Sequence, residues 1–391
     1  MKTVEIIILE EIMEKSTKID ILKDVINIKS VNGNEKKVAE YLANLLKVHH
    51  ISSNIITYSE NRSNLIAIIS QGNSKKTLGL SGHMDVVDPG DESQWEYPPF
   101  KATIENGRLY GRGTTDMKSG LVAMVIAMIE LKENQTPFNG SIKLLATVGE
   151  EVGELGAEQL TKLGHADDLT GLIIGEPTNY NLMFAHMGSI NYSVISHGKE
   201  AHSSMPELGY NAINHLNAFI SEVNMKMEKI SAQYVNDILG RTIHNVTVIS
   251  GGNQVNSIPN VAKIQGNIRS IPEFGNEKII HELQETVDKL NQEAEYKLDL
   301  AIDYNKIPVK ADNNSKLINV IQSQFEQPLP LISSAGTTDA AEFTKSKTKF
   351  DFVVFGPGVS EKAHQINEYV ELDNYLDMID KYQAIAMAYL K

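Results

Sequence analysis

No cysteine occurs anywhere in the 391-residue chain. Disulfides and thiolate ligands are therefore excluded, and any metal must be held by imidazole and carboxylate. A cysteine-free chain also fits a reducing compartment. Basic residues are scarce: 36 Lys and Arg stand against 50 Asp and Glu, for a formal net charge of −14. With no basic stripe to neutralise phosphates, nucleic acid is not an expected partner. Long apolar runs are missing as well, and no stretch approaches the roughly 20 residues needed to span a bilayer. The opening run "MKTVEIIILEEIMEK" is short, lies among glutamates and lacks a small-residue cleavage site, so it makes a poor secretory signal. The expectation is a cytoplasmic protein with neither a membrane nor a nucleic-acid partner.

What is present is ordinary in bulk and specific in detail. Hydrophobic content of 41% and charged content of 22% are those of a soluble globular protein. The length exceeds one ordinary core, so two domains are expected. Helical spacing in "IDILKDVINIKSV" and "NEKKVAEYLANLLKVHH" is followed by short strands at "SNIITY", "NLIAII" and "TLGLSG". A broad apolar helix, "MKSGLVAMVIAMIELKE", precedes the β-type runs "SIKLLATV" and "TGLIIG". This alternation predicts an α/β fold with a mixed sheet flanked by helices. From Ser189 the order becomes βαββαβ, the split βαβ arrangement of a small α+β, ferredoxin-like domain. The α/β pattern resumes near residue 304 and runs through "KFDFVVFGPG" to a terminal helix. The chain thus reads as a discontinuous larger domain, 1–188 with 304–391, interrupted by a smaller one at 189–303.

Metal-type ligands cluster where strands give out. His83 follows "TLGLSG", Glu150 and Glu151 follow "SIKLLATV", Glu176 follows "GLIIG", and His364 comes after "FDFVVF" and a short loop. Asp116 precedes the helix that begins near Lys118. Each has an ordinary alternative: a strand-end histidine, a helix N-cap at Asp116, a solvated acidic turn, a loop carboxylate, an exposed loop histidine. Shared placement at one sheet edge is not expected from those alternatives, but it is where α/β sheets gather ligands. Imidazole plus carboxylate suits zinc, with cobalt or manganese as substitutes. Asp85, two residues after His83, is placed to accept the imidazole's other N–H. On the turn "GEEVG" one glutamate can bind metal while the other handles a proton.

The motifs "SGHMDVVD", "LYGRGTTDMKSGL", "ATVGEEVGELGA", "IIGEPT" and the late "FGPG…AHQINEY" resemble the acetylornithine deacetylase / succinyl-diaminopimelate desuccinylase family of dinuclear zinc hydrolases. The resemblance covers nearly the whole chain from about Ile19. It implies a zinc-peptidase-like catalytic domain with an inserted lid and dimerisation domain, hence a homodimer. It further implies two zinc ions per subunit, with Asp116 bridging, His83 and Glu176 completing one position, and Glu151 and His364 the other. Glu150 is then the general base and Asp85 supports His83. A cis peptide bond is implied at Asp116–Met117. In the lid, His202 of "GKEAHSSMP" is implied to stabilise the oxyanion in the partner subunit's site. Asn256, Arg269, Gly336 and Thr337 match substrate-contacting positions.

One departure bears on specificity. Many desuccinylases of the family carry paired arginines before a Gly-Ser, whereas this chain has His186 and Met187 before Gly188. Arg269 and Lys199 remain as candidate cations for a distal carboxylate. The expected activity is hydrolysis of a small N-acyl amino acid, first of all N-succinyl-LL-diaminopimelate. Acetylornithine deacetylase or a dipeptidase or aminoacylase is the enzymatic alternative. A metal-stabilised binding or dimerisation protein is the non-enzymatic one.

Overall fold

The computed structural model describes residues 13–391. The expected weak signal segment therefore lies almost wholly outside the described residues. No helix among the described residues is long and apolar enough to cross a membrane. The chain divides into two compact units. One takes the described part of Met1–Phe184, together with Ala311–Leu331 and Glu342–Lys391; the other takes Ala185–Lys310 and Ile332–Ala341.

The first unit is built on a mixed sheet. Its strands run in the order Ser53–Ser59, Arg62–Gln71, Gly140–Thr147, Thr77–His83, Gly171–Ile174, Asp351–Val354 and Leu182–His186, the last of which leads out into the second unit. Thr77–His83 is parallel to both neighbours, and Asp351–Val354 is parallel to Gly171–Ile174. Four adjacent strands therefore end at one edge, with His83 opposite Thr147 and Ile174 beside both Ser81 and Val354. Every residue of Thr77–His83 is buried. Alternating side chains point to opposite faces, so both faces of the sheet are covered there.

The apolar helix Lys118–Glu133 is buried from Lys118 to Leu131. It packs on Thr77–His83 and Gly140–Thr147 and against the helices Lys15–Asn27 and Leu372–Tyr389. Its first turn approaches the sheet closely: a Cβ on Gly120 would lie 2.0 Å from the Gly175 carbonyl oxygen. Only glycine permits that contact. A small three-stranded sheet, Thr103–Glu105, Arg108–Tyr110 and Tyr369–Glu371, joins two distant parts of the chain. Strands of three residues carry no readable period, and this sheet has no counterpart in the sequence reading.

The second unit carries a four-stranded antiparallel sheet ordered Ile243–Gly251, Val261–Ser270, Gly188–His197, Leu298–Lys306. With the helices Ala212–Gln233 and Asn276–Glu293 the chain order is βαββαβ, as expected, and the strand order is ferredoxin-like. Burial alternates along Val261–Ser270: Ala262, Ile264 and Ile268 join Leu216, Phe219, Leu283 and Val287 in one core. The other sheet face is left to polar residues such as Lys263, Gln265 and Asn267. Asn211 caps the first helix by accepting the amides of Ile213 and Asn214.

Candidate metal centre

The first unit brings seven of the expected residues together. Asp116 stands at their centre. Its Oδ1 lies 3.1 Å from His83 Nε2 and its Oδ2 lies 3.3 Å from His364 Nε2. Glu176 Oε1 is 3.6 Å from the same His83 nitrogen, and Glu151 Oε1 is 2.9 Å from His364 Nε2. One carboxylate thus faces two imidazoles, each with a second carboxylate beside it. Donor atoms of His83, Asp116 and Glu151 lie within 4.8 Å of one another, as do those of His83, Glu150 and Glu176. The N-cap alternative for Asp116 fails: Met117 occupies the cap position, with no side-chain cap bond. The Asp116–Met117 peptide bond is cis.

Asp85 holds the site differently from expectation. His83 Nδ1 donates to the backbone carbonyl of Asp85 at 2.9 Å, while the Asp85 carboxylate stands 3.6 Å away. That carboxylate instead accepts the backbone N–H of Glu150 through Oδ1 and of Glu151 through Oδ2, each at 3.2 Å. A single buried side chain therefore fixes the turn that presents both glutamates, and the imidazole is oriented by main chain.

Burial and crowding set the charges. Burial pushes the Glu176 carboxyl well above the usual range; the His83 charge opposes this, while Asp116 and Glu151 add to it. For His83, burial pulls down but is outweighed by Glu176, Asp116 and Asp85, so the imidazole is raised. Hydrogen bonds to Asp116 and Glu151 push His364 up to about 10. Against the upward pull of burial, His364 and His83 hold Asp116 well below the ordinary carboxylate range. Five carboxylates, Asp85 included, outnumber two imidazoles in a largely buried space, which favours cations. Nitrogen and oxygen donors without sulfur fit zinc, cobalt or manganese.

Three charged residues inside the quoted motifs, Glu368, Arg112 and Lys118, escaped the sequence reading. Glu368, buried, accepts the backbone N–H groups of Gly113, Thr115 and Asp116 at 3.0, 2.8 and 3.0 Å and pairs with Arg112 at 2.6 Å. Lys118, also buried, donates to the carbonyls of Val25 (3.0 Å) and Ile28 (2.8 Å) at the end of helix Lys15–Asn27. The signal was their position in "GRGTTDMK" and "AHQINEY"; nothing in the sequence showed that their partners are main-chain atoms.

His202, Asn256, Arg269, Gly336 and Thr337 all belong to the second unit. The short strand Ala201–His202 pairs with Ser257–Ile258, and the Ser203 amide donates to the Asn256 carbonyl at 3.0 Å. His202 is exposed, and its Nδ1 accepts the Ser204 amide at 3.2 Å. The neutral ring then carries its proton on Nε2. Arg269 is half-buried on Val261–Ser270. The Gly336 amide donates to Ser334 Oγ at 2.9 Å, and Thr337 Oγ1 lies 3.4 Å from the Tyr304 hydroxyl. His186 is fully buried with Nδ1 2.9 Å from the Met187 carbonyl, and burial pushes it down to about 4. It is neutral near pH 7, and no counter-charge for a carboxylate.

The model of peptidase family M20/M25/M40 matches residues 79–388. A probable succinyl-diaminopimelate desuccinylase of Staphylococcus aureus (strain N315) is 41% identical, over 96% of this chain and 98% of that protein. A namesake from Staphylococcus epidermidis is 38% identical over 97% and 99%. Among solved structures, the aminopeptidase PepT of Bacillus cereus superposes with a TM-score of 0.79 at 21% identity, over 97% and 99% of the two chains. Bacillus subtilis YXEP protein, described as a dinuclear metal-binding peptidase, gives 0.73 at 14% identity, over 96% and 98%.

Proposed function

The chain belongs to peptidase family M20/M25/M40, and from that premise we propose that this amide hydrolase is metal-dependent and cleaves N-succinyl-LL-diaminopimelate. The names of the relatives support the substrate. One observation carries the two-ion reading: Asp116 directs one oxygen toward His83 and the other toward His364, each imidazole having its own second carboxylate. Asp116 would bridge, His83 and Glu176 would complete one position, and Glu151 and His364 the other. Two divalent ions, zinc by this assignment with cobalt or manganese as substitutes, would polarise the amide carbonyl and acidify the attacking water.

The remaining steps fall to side chains. Glu150, held on its turn by Asp85, takes the proton from the water and passes it to the leaving amine. The C–N bond breaks, giving succinate and LL-diaminopimelate. Residues 189–303 are assigned as lid and dimerisation domain and 1–188 with 304–391 as catalytic domain. In the homodimer so formed, His202 stabilises the developing oxyanion across the interface, and a proton on Nε2 is the polarity this needs. Asn256, Arg269, Gly336 and Thr337 hold the substrate. The enzyme is assigned to the cytoplasm.

The neutral His186 favours a second reading, acetylornithine deacetylase, because it leaves a distal succinyl carboxylate to Arg269 or Lys199. Steady-state rates on succinyl-diaminopimelate, acetylornithine and a dipeptide panel decide. Succinyl-diaminopimelate is expected to be the best substrate by kcat/KM. A hundredfold preference for acetylornithine would overturn the assignment.

A further inference from the structure

His364 sits in the left-handed region, with φ of 61°. A side-chain-bearing residue adopts that conformation at a cost, so its neighbours must hold it there. Two contacts do so. Arg112 reaches the His364 carbonyl through Nη2 at 3.5 Å and the Gln365 carbonyl through Nη1 at 3.3 Å. Arg112 is itself fixed by Glu368, four residues beyond His364, at 2.6 Å. The other oxygen of Glu368 gathers three donors from one short segment, the amides of Gly113, Thr115 and Asp116. Convergent main-chain N–H groups form an anion cradle, and a buried carboxylate needs such partners. Among the described residues neither Glu368 nor Arg112 bonds to His83 or Glu176.

We propose that Glu368 is a positioning residue that acts more on one ion than on the other: it holds the amide of Asp116, which both positions share, and through Arg112 the carbonyl of His364, which belongs to one. It thereby sets the affinity of the position formed by Asp116, Glu151 and His364, and moves that of Asp116, His83 and Glu176 by less. This rests on the two-ion reading above. A neutral glutamine at 368 has one acceptor oxygen instead of two and turns an amide NH2 toward Arg112. The guanidinium then loses its anchor, and the His364 loop its hold.

The holoprotein, its E368Q and R112K variants, and H364A as reference are titrated with a zinc chelator. Bound zinc is followed by elemental analysis. Trp95, the only tryptophan of the chain, lies 5.1 Å from the Arg112 guanidinium and reports the clamp by fluorescence. Wild type is expected to release zinc in two steps, one of them absent in H364A. In E368Q that same step moves to weaker binding by about 10–100-fold, the range for residues that orient ligands, and the other moves by less. R112K keeps the charge but loses the fork and shifts the same step by less. Unmoved steps in both variants, both steps moving by the same factor, or a wild type holding a single ion would each overturn the inference. If E368Q fails to fold, R112K decides alone. A wild type that holds two ions yet hydrolyses no amide would remove the proposed function and leave the clamp standing.

Discussion

Glu150 and Glu151 are neighbours in the chain, yet they are assigned different tasks. Asp85 makes this possible by pinning both amides of the turn with one carboxylate. Glu151 meets His364 at 2.9 Å, whereas Glu150 lies among the donors of His83 and Glu176. That placement suits a proton carrier beside the ions, but it also suits a ligand, and one variant separates the two roles. Glu150→Ala is expected to keep both ions while kcat falls by about 10²–10⁴-fold, the usual range for a general acid–base group. Elemental analysis beside steady-state rates checks it. Loss of an ion would make Glu150 a ligand, and an unchanged kcat would remove it from the reaction.

Helices and strands bring these residues together by close approach. Gly120 is four residues beyond Asp116 and Gly175 immediately precedes Glu176, so their contact sets the distance between two proposed ligands. Gly120→Ala would drive a Cβ into a backbone oxygen that cannot swing away. Overpacking of this kind costs about 1–3 kcal/mol, so a lowered Tm and weaker zinc retention are expected; a Tm equal to wild type would show that the helix slides freely. Much of this architecture is legible in the sequence, because period-2 and period-3.6 patterns mark the strands and helices and the proposed ligands sit where those patterns stop. The clamps are not legible. Asp85, Glu368 and Lys118 act on main-chain amides and carbonyls, which every residue carries and no sequence distinguishes. Nor does a tripeptide strand such as Tyr369–Glu371 show a period, although it places Glu368 beside the approach to Asp116.

At the scale of the whole molecule, acid tolerance is expected to be limited by histidines outside the proposed ligand set. In the second unit burial pushes both His186 and His244 down to about 4. His244 lies nearly parallel to Tyr192, 5.9 Å between ring centres, and its Nε2 is hydrogen-bonded with the Tyr192 hydroxyl at 2.7 Å. Folding therefore favours the neutral rings, whereas the unfolded chain protonates them near 6.5. The stability they contribute is complete above pH 6.5 and is lost as pH falls from there toward 4. By pH 5 the loss from His186 is about 2 kcal/mol, and less from His244, which solvent partly screens. His186→Gln cannot titrate. Its unfolding free energy, measured by denaturant titration of the full chain between pH 7 and pH 5, should fall less than that of wild type by about the same 2 kcal/mol. Parallel curves for the two proteins would mean that His186 protonates in the fold as readily as in the unfolded chain, and that its burial does not disfavour the charge.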